Sequence, residues 1–184
     1  MKFHENGRRE RLLGRINSAT EAIIMKRFFA TDDSWAALIV RLTVGLVILP
    51  HGAQKLLGWF GGYGFSGTMS FFTGQLGIPA PIALLVIVAE SLGALALIAG
   101  FLTRASALGL VAVMLGAVFM AHLPNGFFMN WFGTQSGEGF EYHLLVIGMT
   151  LALAVVGGGR FSVDGWLARR LDEERARLEP APAE

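Results

Sequence analysis

The stretch Val40-Arg41-Leu42-Thr43-Val44-Gly45-Leu46-Val47-Ile48-Leu49-Pro50-His51-Gly52-Ala53-Gln54-Lys55-Leu56 combines two demands that are hard to satisfy together. It lies in a hydrophobic run long enough to cross a bilayer, yet it carries an arginine, a histidine, a glutamine and a lysine. A charge at the centre of a membrane helix costs about 2.5–3.5 kcal/mol on insertion scales, whereas each leucine-type residue returns only about 0.3–0.6 kcal/mol. Such a helix inserts best when its polar groups have partners or water. Those partners must come from elsewhere in the chain.

The composition fits a membrane setting. Of 184 residues, 53% are hydrophobic and 16% charged, against about 25% charged in soluble domains. The formal net charge of +1 gives no electrostatic footprint for nucleic acid. There is no cysteine. That excludes thiol nucleophiles, disulfide relay, thiolate metal sites and cysteine-ligated iron–sulfur clusters.

Outward from the opening stretch, three regions emerge: a basic arm over 1–34, a membrane domain over 35–157 and a tail over 158–184. In the arm, Leu12, Leu13, Ile16, Ala19, Ile23 and Ile24 recur at helical spacing among Arg8, Arg9, Arg11 and Arg15. This predicts an amphipathic helix on an anionic leaflet. The same residues also read as an extended arm, with Met25 a second candidate start. They lack the short apolar core and small-residue cleavage site of a signal peptide.

Thr31-Asp32-Asp33-Ser34 supplies capping chemistry for a first membrane helix over Trp35–Leu57, and Pro50 is expected to kink it. Residues 58–78 mix glycine with aromatic residues and hold no lysine or arginine, which predicts an interfacial loop or one folded over the bundle mouth. Pro79-Ala80-Pro81 opens a second helix to about Phe101, and Arg104 follows in a tight turn. A third helix runs to about Leu123, and residues 124–140 form a second glycine- and aromatic-rich loop. A fourth, short helix covers Glu141–Val156, and Gly157-Gly158-Gly159 ends the membrane region. Asp164 then caps an amphipathic helix with Arg169/Glu173 and Arg170/Glu174 at i,i+4 spacing, and residues 180–184 fray. The fold class is all-α, an integral membrane four-helix bundle with amphipathic terminal helices.

Lysine and arginine set the orientation. Seven precede the first helix, five follow the fourth, and Arg104 alone lies between the second and third. The positive-inside rule puts both termini and the Arg104 turn in the cytoplasm. His51, Gln54 and Lys55 then share a face in the outer half of the first helix. Glu90 lies about eleven residues, or ~16 Å, below the outer end of the second helix, near the midplane of a ~30 Å core. His122 ends the third helix on that side, and Glu141, Tyr142 and His143 begin the fourth there.

Several of these residues also fit plain roles. Lys55 and Arg41 sit close enough to helix ends to snorkel to headgroups. Glu141 complements a helix N-terminus, and His122 and His143 suit an interface. The pairs Gly45/Gly52, Gly93/Gly100 and Gly109/Gly116 are expected to permit close helix packing. Glu90 is too deep for its short side chain to snorkel, so it must be protonated, paired or hydrated. His51, near Pro50, is the next hardest to explain plainly. No tight motif such as H-E-x-x-H is present, so no metal site is expected.

Taken in order, several pieces resemble the DoxX family of small bacterial membrane proteins. They are Arg41, the run His51-Gly52-Ala53-Gln54-Lys55-Leu56, Glu90, and Leu102-Thr103-Arg104. Gly137-Glu138-Gly139-Phe140-Glu141-Tyr142 and Gly157-Gly158-Gly159-Arg160-Phe161-Ser162-Val163-Asp164 complete the set. The resemblance covers about residues 35–166, and the long basic arm departs from it. It implies a protein of the bacterial cytoplasmic membrane, described in the family as an oxidoreductase subunit, with some relatives linked to thiosulfate:quinone oxidoreductase.

Two functions follow as expectations. The first is a quinone-associated subunit with a protein partner of a redox complex. In it, Glu90 and His51 relay protons, while Arg41, Gln54, Lys55, His122, Glu141, Tyr142 and His143 contact the ligand. Quinone is the only cofactor implied, and no motif encodes one. The alternative is a non-enzymatic scaffold or a carrier of a small lipophilic molecule, with the polar residues as structural glue.

The orientation is testable. Single cysteines at Ser66 and Ser136 are expected to react with a membrane-impermeant thiol reagent on intact cells. Protection of both, with labelling at position 181 instead, would overturn it.

Overall fold

The computed structural model describes Met25 and residues 28–178. The arm helix expected over 8–24 and the tail 180–184 lie outside the described residues. The described chain is all-helical. Helix α1 (Trp35–Leu57) begins where the Ser34 hydroxyl accepts from the Ala37 backbone N–H at 3.2 Å. It runs unbroken through Pro50 and ends at Gly58, whose φ of 75° is left-handed.

The segment after α1 differs from the loop that its composition predicts. It forms a 3-10 turn (Trp59–Gly61) and a short helix α2 (Gly64–Ser70), which a π turn prolongs over Phe71–Gln75. The glycines at positive φ, Gly58, Gly61, Gly64 and Gly77, fall near the ends of these pieces, Phe60 shares that conformation at φ 53°, and Phe65, Phe71 and Phe72 wind helically. The segment folds back on the last turn of α1, where Gln54 Nε2 donates to the Phe60 carbonyl at 3.3 Å.

Helix α3 (Ala80–Ala99) stops at Gly100, slightly earlier than expected, because Gly100 turns left-handed at φ 68°. Helix α4 (Thr103–Asn125) follows after a three-residue turn, and α5 (Glu141–Val156) after the second glycine–aromatic loop. Helices α1, α3 and α4 are each long and apolar enough to cross a membrane. α5 is equally apolar but spans only 16 residues. α1 packs against α3 and α5, and α4 packs against α5 and α3, closing a ring. Val44, Ile48, Leu97, Leu110, Val146 and Leu153 meet at its centre.

The amphipathic helix α6 (Val163–Leu178) is capped by Ser162, whose hydroxyl accepts from the Gly165 N–H at 3.1 Å. Asp164 does not cap α6. Its two carboxylate oxygens accept from the N–H groups of Leu102 and Thr103, each at 2.8 Å, so it caps α4 from outside. The reason is that α6 starts directly beside the α3–α4 turn, where two orphan donors face its first residues. On α6, Arg170 meets Glu173 at 3.7 Å, three residues on.

Arg41 does not snorkel. Its side chain is buried, with 2% of the residue exposed, and every guanidinium donor finds a carbonyl. Nε donates to Gly158 at 2.8 Å, Nη1 to Leu97 at 3.1 Å and to Ile98, and Nη2 to Arg160 and Phe161 at 3.1 and 3.2 Å. One side chain thus closes the C-terminal end of α3 and ties the 157–161 segment to it. Arg104 does the same for α5, donating to Ala154 and Val155 at 2.7 and 2.6 Å and to Ala30 at 2.7 Å.

The glycines divide. A Cβ at Gly45 would lie 2.6 Å from Ile98, and one at Gly52 would lie 2.6 Å from the Ser91 Cα, so both allow α1 to approach α3 closely. A Cβ at Gly116 would meet nothing within 4 Å, and the nearest neighbours of Gly93 and Gly109 are 3.9 and 3.8 Å away. Those three do not serve close packing, contrary to their spacing.

Replacing Arg41 with Met is expected to cost at least about 3 kcal/mol, since buried carbonyls lose charge-assisted donors. Arg41→Lys recovers only part of this, lacking the planar fork. Thermal unfolding in detergent measures both, and a melting temperature unchanged by Arg41→Met would refute the role.

Candidate functional site

The site is built at the end of the bundle where α1 and α4 finish and α5 begins. Its frame is the contact between Gly52 and the backbone of Glu90 and Ser91, which leaves no room for a side chain. Here α3 loosens into a π turn over Ala89–Gly93, and α4 does so over Val118–His122. A π turn rotates its residues out of the α register and is frequent at functional positions. Each of these two turns carries a polar site residue, Glu90 and His122.

Glu90 points into the bundle. It is 5% exposed, and its Oε2 forms an ion pair with Lys55 Nζ from the last turn of α1. The carboxylate is buried and the lysine, 24% exposed, reaches in to it from the end of α1. Ser91 is also buried, and its hydroxyl donates back to the Ile87 carbonyl at 2.6 Å.

Around this pair gather rings from three helices. His51 of α1 faces Tyr142 of α5 with centroids 6.4 Å apart. His122 of α4 and His143 of α5 lie 4.2 Å apart, and Tyr142 and His143 lie edge to face at 5.6 Å. His122 is oriented by the Glu138 carbonyl, 2.8 Å from its Nδ1. The Tyr142 hydroxyl and His143 Nδ1 are buried and find no hydrogen-bond partner among the described residues. Orphaned polar atoms are costly in an apolar interior, about 1–3 kcal/mol each. Two of them at one cavity wall are donors and acceptors open to a ligand or water.

These residues line one cavity of about 1220 Å³. Of the residues marked in the sequence, His51, Lys55, Glu90, His122, Tyr142 and His143 all border it. Arg41, Gln54 and Glu141 do not. Arg41 is spent on carbonyls at the far end, and Gln54 holds the turn after α1. Glu141 pins the second loop, accepting from the Met129 N–H at 2.9 Å and from Trp131 Nε1 at 3.4 Å. Glu138 and Met129 border the cavity as well, as do Phe71 and Phe72 from the segment after α1. Glu138 lay in a motif quoted from the sequence, but nothing local marked it as cavity-facing. Its carboxylate accepts from the Asn130 N–H at 2.7 Å and so shapes the loop. No group of three or more histidine and acidic side chains is placed to hold a metal among the described residues.

The Glu90–Lys55 pair gives a direct test. Glu90→Gln and Lys55→Met are each expected to lower the melting temperature, the second more, because it leaves the buried Glu90 charge unpaired whereas the first leaves a partly exposed lysine. The double variant should lose less than the sum, by roughly 1 kcal/mol or more of coupling. Strict additivity would show that the two do not interact in the membrane.

Comparison with known proteins follows the same residues. The DoxX family model matches residues 36–123, from the start of α1 to the end of the π turn in α4. "Inner membrane protein YqjF" of Escherichia coli (strain K12) is 32% identical over 133 residues, covering 72% of this chain and 92% of that protein. "Putative oxidoreductase CatD" of Bacillus subtilis (strain 168) is 28% identical over 124 residues, covering 67% and 80%. No solved structure matches the chain. With apolar helices of membrane-crossing length and a relative matched over nearly its whole length, the chain belongs to the DoxX family.

Proposed function

We propose that this protein is the quinone-associated subunit of an oxidoreductase system in the bacterial inner membrane. The observation that carries the proposal is the mixed cavity. Its walls are mostly apolar, and at one end it gathers an ion pair, three histidines and a tyrosine, of which Glu90 and His143 are buried. A relative's name, with the word oxidoreductase, supports the redox reading, and another's supports the membrane. In this reading α5 makes a fourth crossing. At ~1.5 Å per residue its 16 residues give ~24 Å, which a slightly thinned bilayer accommodates. Both termini then face the cytoplasm, with Arg104 and Arg160 at that end.

The residues present fit a quinone. Tyr142 and His143 offer the unpartnered polar atoms that would hold its carbonyl oxygens. When bound, a quinone accepts two electrons and two protons. In this reading Glu90 and His51 hold and pass protons at the cavity wall, and Lys55 is paired with the Glu90 carboxylate. The apolar walls exclude bulk water from the rest of the space. Electrons come from a partner protein bearing its own redox centre, since the chain carries no cysteine and no cofactor motif.

The test is binding. Protein purified in mild detergent is expected to retain quinone, read from the oxidised-minus-reduced ultraviolet spectrum. Tyr142→Phe and His143→Phe should each weaken retention by about tenfold. Neither should lower the melting temperature, because the Tyr142 hydroxyl and His143 Nδ1 have no hydrogen-bond partner among the described residues. Protein that folds and carries no quinone, and takes up none when it is added, would favour the scaffold or carrier reading instead.

A further inference from the structure

The polar end accounts for only part of the cavity. The same space continues between α3 and α4 to Phe101, Leu102 and Ala105 at the opposite end of the helices. Its volume of about 1220 Å³ exceeds the ~300–1,000 Å³ of an ordinary small-molecule pocket. Its wall carries Gly93 and Ala96 on α3, and Ala105, Gly109, Ala112 and Gly116 on α4. Ala105 and Ala112 are exposed, so the groove opens sideways. In a helix bundle, small residues usually bring backbones together. Here Gly116 faces open space among the described residues, while Gly109 leaves room only up to Ala89 of α3, whose Cβ lies 3.8 Å from where a side chain would begin.

The length of the groove narrows what occupies it. From Ala105 to Ala121 is a rise of ~24 Å at 1.5 Å per residue. That is most of a ~30 Å hydrocarbon core. A phospholipid chain hangs from its own headgroup and serves one leaflet, about half that depth. A single tail that begins at the polar end and passes the midplane matches the groove better. His143, 6% exposed with an unpartnered Nδ1, marks where the head of such a molecule sits.

We infer that the groove between α3 and α4 is the berth of a long isoprenoid tail, whose quinone ring lies against Tyr142 and His143. The inference rests on the quinone reading above and adds the chain length and the entry route. The ligand slides in from the bilayer between α3 and α4, ring and tail together, and never crosses water. The site therefore selects membrane quinones over soluble ones by the tail, while the head contacts stay common to both.

The experiment compares long-chain menaquinone with its tailless analogue menadione on the full chain in lipid nanodiscs. Gly116→Leu fills open space, since a Cβ there meets nothing within 4 Å. Ala112→Phe, at an exposed position, is the second variant. Each is expected to weaken long-chain menaquinone by about tenfold or more and to leave menadione affinity unchanged. Equal affinity of both variants and the parent for both quinones would overturn the tail berth and leave the head site standing. Failure of either quinone to bind the parent would instead remove the head site on which the inference depends. A variant that converts a dimer to a monomer without changing menaquinone binding would give the groove to a second copy of the chain and also overturn the inference.

Discussion

Five backbone carbonyls converge on the guanidinium of Arg41, and they come from two segments far apart in the chain. Leu97 and Ile98 end α3, and Gly158, Arg160 and Phe161 lie beyond α5. The last carbonyls of any helix have no partner within it. At membrane depth, water is not there to satisfy them. An arginine suits this task because it has five donors in a fixed plane and does not give up its charge. Asp164 completes the arrangement with the opposite polarity, serving the N–H groups at the start of α4. The two ends of the tight α3–α4 turn are thus closed by one cation from α1 and one anion from α6.

This explains why the pieces that mark the family lie where they do. Arg41, the Leu102-Thr103-Arg104 turn and the glycine-rich segment to Asp164 are scattered in sequence but meet in one knot. Gly100, at φ 68°, has no Cβ because Ser162 lies where it would be, 2.6 Å away. Leu102 and Phe161 are held at positive φ of 47° and 52°. Non-glycine residues accept that conformation only when their surroundings enforce it. The knot leaves the opposite end of the bundle free to loosen. There α4 opens into a π turn, α3 does so at its middle, and the polar residues contact one another along the wall of a cavity.

The hydrophobic lengths and the end signals of the helices were legible from local pattern. Trp35–Leu57 and Glu141–Val156 begin and end as the sequence implies, because capping and hydropathy are properties of neighbouring residues. The gathering of His51, Lys55, Glu90, His122, Tyr142 and His143 at one end was also legible, since depth follows from counting residues along each helix. The segment 58–78 was misread as a loop. Its glycines lie near one another in sequence, and only the backbone distinguishes those that end a turn from those inside one.

By itself, then, the sequence determined the long apolar helices, towards which end of each its polar groups lie, and that Glu90 needs a partner. The tertiary structure alone decided which way each helix is turned about its axis. A helix apolar all round carries no periodic mark of its inward face. Hence Arg41 read as a snorkelling residue and proved to be the buried staple. Asp164 read as the cap of its own helix and proved to cap another. Gly116 read as a packing glycine and proved to face open space. Each outcome depends on rotation and on contact across the bundle, which spacing along one helix does not encode.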